Sequence, residues 1–150
     1  MHVVLRSTQA KGTWSFARKV NRAKVDALIA KFATRYGVRL HSVANAGNHI
    51  HLHIQLANRH TYRAFIRALT GSIAMAITGV SRWNPGKSKL RFWDRRPFSR
   101  VGYGYRAFLR LKEYLHINQL EGFGIPRDEA REMNSNPYHW VNYAAEFGSA

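Results

Sequence analysis

Three histidines in alternation, His49, His51 and His53, lie inside the segment Gly47-Asn-His-Ile-His-Leu-His-Ile-Gln-Leu56. In an extended strand neighbouring side chains point to opposite faces, so the imidazoles share one side and Ile50, Leu52 and Ile54 share the other. Successive histidines then stand about 7 Å apart, two residues of strand rise, which suits joint ligation of one metal ion. A half-buried strand with a polar outer face is the other reading of the same pattern. Carboxylates are scarce nearby, since before residue 94 only Asp26 is present. A nuclease built on clustered Asp and Glu with two magnesium ions has almost nothing to use, so any metal here rests on histidine and neutral oxygen ligands. Cysteine is absent, which excludes disulfides, thiolate catalysis and Cys-ligated zinc together.

The elements that must position these residues follow from periodicity. His2-Val-Val-Leu-Arg6 reads as a strand. Asn21 is the expected cap of a helix whose apolar positions Val25, Leu28, Ile29, Phe32 and Tyr36 keep the 3.6 period up to Gly37. Val38–Val43 is a second strand that turns through Asn45-Ala-Gly47 into the histidine strand. Tyr62, Phe65, Ile66, Leu69, Ile73 and Ile77 mark a second helix closing near Gly79. Leu90–Trp93 begins a fourth strand, resumed at Phe98–Val101 after Pro97, and a third helix runs roughly from Tyr105 to Leu120. The order β-α-β-β-α-β predicts a ferredoxin-like α+β domain with its helices on one sheet face and an added C-terminal helix facing the other. On that added helix Tyr114 and Asn118 lie on one face about 40° apart, whereas Gln119 lies about 140° from Tyr114.

Charge is the second strong signal. The 150 residues carry a formal net charge of +16 with a pI near 11.1 and an ordinary 45% hydrophobic content. Up to residue 112, 22 Lys and Arg face Asp26 and Asp94 alone; after it, Arg127 and Arg131 face Glu113, Glu121, Asp128, Glu129, Glu132 and Glu146. The basic part is also the patterned part, so the charge lies on a folded surface and a polyanion, nucleic acid first, is the expected partner. No run of about 18 apolar residues occurs, so the sequence predicts a cytoplasmic protein without signal peptide or membrane span.

The run Asn48-His-Ile-His-Leu52 resembles the histidine-hydrophobic-histidine motif of single-tyrosine HUH transposases. Tyr114-Leu-His-Ile-Asn118, followed by Gln-Leu-Glu-Gly122, resembles the Tyr-Ile-His-x-Asn-Pro-x-x-x-Gly segment of the REP-associated branch of insertion-sequence-200-like transposases. His2–Arg6 is similar to that family's opening strand, and Arg91-Phe-Trp-Asp-Arg95 to its aromatic-basic segment. The resemblance covers residues 2 to about 124 and implies one catalytic domain over 1–125; the composition of 126–150 predicts a short acidic-aromatic extension packed on it. It implies a single-stranded DNA endonuclease and strand transferase with Tyr114 as nucleophile. His49, His51 and Asn118 would hold a divalent metal, Mg2+ or Mn2+. Gln119 stands where the family has Pro, and His53 replaces a usually apolar residue. These two are the possible additional site residues: His53 either extends the metal site, contacts phosphate or faces solvent. Tyr103 and Tyr105 are alternative nucleophiles.

For DNA, single-stranded or hairpin, the expected contacts are Arg59, Arg63 and Arg67, which recur every four residues on helix two, and Lys87, Lys89, Arg91, Arg95, Arg96 and Arg100 around the last strand. Trp83, flanked by Arg82 and Asn84, reads equally as a base-stacking ring or as a tryptophan at the core edge. Arg127–Met133 is expected to form a short acidic helix, and Tyr138, Trp140, Tyr143 and Phe147 to pack on the body. Two other readings stay open: a regulator that binds nucleic acid without catalysis, and a hydrolase using His49, His51 and His53 with activated water. Monomer and homodimer are equally compatible with the sequence.

Overall fold

Apolar alternation in three of the strands and 3.6-residue spacing in the helices leave one way to bury both, with the helices laid across one sheet face. The computed structural model describes residues 1–80, 83–84 and 91–135. In chain order the elements are β1 (His2–Arg6), a 3-10 turn (Gly12–Trp14), α1 (Lys19–Arg35), β2 (Val38–Asn45), β3 (His49–Leu56), α2 (Thr61–Thr78), β4 (Phe98–Arg100), α3 (Gly104–Gly122) and α4 (Arg127–Ser135). The strands form one antiparallel sheet in the order β2-β3-β1-β4, the arrangement the β-α-β-β-α-β order predicts. Val3, Leu5, Ile50, Leu52 and Ile54 on its inner face pack with Val25 and Ile29 of α1 and Phe65, Leu69 and Ile73 of α2. Each of these side chains is essentially fully buried, which at about 1.5–3 kcal/mol apiece makes this face the main source of stability. Gly79 closes α2 at φ 71, its N–H donating to the Met75 carbonyl. No helix among the described residues is long and apolar enough to cross a membrane.

Two elements differ from the sequence expectation. Asn21 does not cap α1, which starts at Lys19. It lies buried in the first turn, where its amide donates to the carbonyls of Thr13 and Ser15 at 2.9 and 2.8 Å and ties the helix to the preceding 3-10 turn. Arg91–Trp93 is not a strand either. Adjacent strand residues face opposite ways, yet Phe92 and Trp93 both pack on Phe16, with ring centres 6.0 and 5.9 Å away. Trp93 Nε1 also donates to the Thr70 carbonyl at 3.0 Å, so this stretch plugs the core and pairing begins only at Phe98.

The outer sheet face receives α3, which crosses β2 and β3. Leu120 carries α4 through a small apolar cluster with Ile125, Ala130 and Met133, so the acidic helix expected after Pro126 is present. Lys87, Lys89, Tyr138, Trp140, Tyr143 and Phe147 lie outside the described residues.

Candidate active site and nucleic-acid interface

β3 is held from both sides, and its register decides what meets the histidines. β1 places Val4 opposite His51, His2 opposite His53 and Arg6 opposite His49; β4 adds Phe98 opposite Val4 and Arg100 opposite His2. Directly opposed residues share a face, so His2, Arg6, Phe98 and Arg100 all stand on the histidine side. The His49 and His51 ring centres are 4.8 Å apart, and the Tyr114 ring of α3 meets His51 edge to face at 5.8 Å. Tyr114 is 40% exposed, which leaves its side chain open to a substrate. One turn on, Asn118 is buried and its Nδ2 donates to the Tyr114 carbonyl at 2.7 Å, leaving Oδ1 as the atom with lone pairs to offer.

The histidines fit a metal. His49 Nδ1–H donates to Asn48 Oδ1 at 2.6 Å, which puts the lone pair on Nε2. Burial holds the His49 pKa below the ordinary value; Arg6 adds to that, and Glu121 opposes it. His51, 4% exposed, is pushed down to about 3 by burial, with His49 and His2 adding to the effect, so its ring is neutral. Its Nε2 is buried without a hydrogen-bond partner. Two Nε2 atoms, together with a neutral amide oxygen from Asn118, are a donor set suited to a divalent ion.

His53 does not face solvent, and it does not join the other two. It is 3% exposed because α3 crosses above it: its ring packs at 4.7 Å from Phe108 and 5.0 Å from His41, the residue at which β2 bulges against β3. Burial lowers its pKa to about 4, with smaller contributions from the chain amino group, His41 and His2. No group of three or more His, Asp or Glu able to hold a metal occurs among the described residues, so nothing here supports the three-histidine hydrolase. Gln119 is likewise not in the site, because its Oε1 accepts the Asn45 N–H at 2.8 Å and fastens α3 to the end of β2.

That fastening has a second part at Gly122, where a Cβ would sit 2.1 Å from the Asn45 carbonyl oxygen. Asn45 itself is buried, donating to the Phe16 carbonyl and accepting from Gly47 N–H, so it cannot retreat. Gly122→Ala should therefore cost about 1–3 kcal/mol in a urea titration, the usual toll of an overpacked contact, and lift the end of the tyrosine helix. An unchanged unfolding midpoint would show that the helix is not seated by this contact.

The basic residues divide between two sides of the sheet. Arg95 and Arg96 join Arg6, Val4, Asp94 and Phe98 around a cleft of about 670 Å³, and Phe98 meets His2 edge to face at 6.3 Å, so the cleft abuts the histidines. Arg100 shares this face, and Arg91 is exposed at the start of the same connection. Arg59, Arg63 and Arg67 are exposed but belong to α2 and its N-terminal approach, on the face away from the histidines. Trp83 is 89% exposed, a surface ring rather than a core-edge one. Tyr103 and Tyr105 are also exposed, at the start of α3, but among the described tyrosines only Tyr114 makes a ring contact with His51. Sequence reasoning missed His2, Arg6, Asn45 and Asn48. Only Asn48, next to the first histidine of the motif, stood where a signal existed.

The outer face of the antiparallel sheet thus carries a histidine pair and a tyrosine beside a cleft lined by arginines. Residues 1–118 match the model of the family described as Transposase IS200 like, and the chain belongs to that family. It is a transposase, acting in DNA cleavage and transfer. No curated protein matches the chain.

Proposed function

We propose that this transposase cleaves and rejoins single-stranded DNA through a phosphotyrosine, with Tyr114 as its one nucleophile. The observation that carries the reading is the contact of the Tyr114 ring with His51 at 5.8 Å on the outer sheet face. His49 and His51 through Nε2, and Asn118 through Oδ1, would hold the divalent ion, Mg2+ or Mn2+, of an HUH site. When bound, that ion draws charge from a non-bridging phosphate oxygen as it builds in the transition state. Tyr114 gives up its phenolic proton and attacks phosphorus in line; the P–O3′ bond breaks, leaving a 5′-phosphotyrosine and a free 3′-OH. A second 3′-OH reverses the step, so strands are exchanged without an external energy source. Arg6, Arg95, Arg96 and Arg100 neutralise the backbone beside the reacting phosphate. Trp83 offers a ring on which an unpaired base can stack.

The test is incubation with a random pool of single-stranded oligonucleotides and Mn2+, followed by sequencing of protein-linked DNA. A 5′-linked adduct on a restricted set of hairpin-flanking sequences is expected; linkage through a 3′-phosphate, or cleavage with no adduct, would overturn the mechanism. Binding should also favour single strands or hairpins over plain duplex. With four arginines on the phosphate, log affinity should fall with log salt at a slope of about −0.7 per contact. Equal affinity for duplex, or a salt-independent constant, would reject that interface.

A further inference from the structure

We propose that His2 is a positioning residue whose Nε2 accepts the Nδ1–H of His51 and fixes His51 in the tautomer with a bare Nε2. The inference rests on the reading of His51 as a metal ligand and adds a residue from a different strand to that site.

The contact is a diagonal one. The β1–β3 register sets His2 against His53 and Val4 against His51, so the His2 side chain reaches one pair along the sheet to bring its Nε2 to 3.0 Å from His51 Nδ1. The rings are nearly parallel, at 15°, with centres 5.2 Å apart. With nitrogens at 3.0 Å, that separation arises only when the touching atoms lie close to the line of centres, so the rings meet edge to edge instead of stacking. Imidazole lone pairs lie in the ring plane, and this in-plane arrangement is the one an N–H···N bond requires.

Counting protons then assigns the donor. A neutral imidazole carries one N–H. If His2 donated, His51 would carry its proton on Nε2, the buried nitrogen that has no acceptor. If His51 donates from Nδ1, that same buried nitrogen bears a lone pair, the form a metal ion takes up. His49 is arranged in the same way by a different partner, Nδ1–H to Asn48 Oδ1. Both histidines thus present Nε2, one pinned by the residue just before its own strand and one from β1. His2 is itself held between Tyr114 and Phe98, edge to face with each at 6.0 and 6.3 Å, so its ring is not free to swing away.

The tautomer can be read in the metal-free protein by long-range ¹H–¹⁵N NMR of the histidine side chains. His51 should carry its proton on Nδ1 in the wild type and lose that fixed assignment in His2→Phe, which keeps a ring but removes the acceptor. Calorimetry with Mn2+ alone should show about 10–100-fold weaker binding for His2→Phe, the scale of loss when an outer partner of a ligating histidine is removed. His2→Gln, which restores an acceptor oxygen, should recover part of it, and it also serves if the Phe variant fails to fold. Single-strand affinity without metal should not change.

An Nε2–H tautomer for His51 in the wild type would overturn the proposal, as would wild-type Mn2+ affinity in His2→Phe. His51→Ala separates the two layers. If it binds Mn2+ as the wild type does, the metal reading itself fails; if it loses the ion while His2→Phe keeps it, only the role of His2 fails.

Discussion

Replacing Tyr114 with Phe should abolish both strand cleavage and covalent linkage, a loss of about 10⁴-fold or more, on the scale seen when a nucleophile is deleted. The substitution removes one hydroxyl from a ring that is 40% exposed, and the ring contacts to His2 and His51 at 6.0 and 5.8 Å survive it. Thermal stability and single-strand affinity should accordingly match the wild type. With the unaltered protein, a strand labelled downstream of the nick should migrate with the protein on a denaturing gel, and mass spectrometry should place the nucleotide on Tyr114. An adduct on Tyr103 or Tyr105, or undiminished cleavage by Tyr114→Phe, would refute the assignment.

His51→Ala and His49→Ala should each eliminate Mn2+-dependent cleavage while leaving most DNA affinity in place. On the proposed reading the two functions draw on different groups: the imidazoles would serve the ion, and Arg6, Arg95, Arg96 and Arg100 the phosphates. His49→Ala is the cleaner of the two, because His51 is buried and its truncation also leaves a cavity. Asn118→Ala should weaken the ion less than either, an amide being a neutral and poorer ligand. Calorimetry with Mn2+ and fluorescence anisotropy with a labelled single strand separate the two quantities. Parallel loss of DNA affinity in His49→Ala would show that the histidines bind DNA directly and that the metal assignment is wrong.

The parts of this fold written in local periodicity were legible from sequence: β1, β3 and α2 follow the alternation and the 3.6 spacing of their apolar residues, and Gly79 ends α2 as expected. What depended on register or on crossing was not. His53 has the same spacing from His51 as His49 has, and only the path of α3 makes one of them buried packing beneath Phe108 and leaves the other half open. The four-residue recurrence of Arg59, Arg63 and Arg67 does mark an exposed side of the second helical segment, but periodicity cannot say which side of the sheet that helix covers. Phe92-Trp93 read as strand because aromatic runs favour strands, whereas a neighbouring Phe16 drew both rings to one side. The pairing of His2 with His51 was invisible for the same reason, since it exists only once β1 is placed beside β3.

The seat of α3 on Asn45, made by Gln119 and by the bare Cα of Gly122, holds Tyr114 beside the histidines within a single polypeptide. Their local concentration is consequently set by covalent connectivity and not by how many molecules are in solution. On the proposed reading, Tyr114 and the histidines of one copy would act together, so a cut strand would stay attached to the molecule whose histidines helped to cut it.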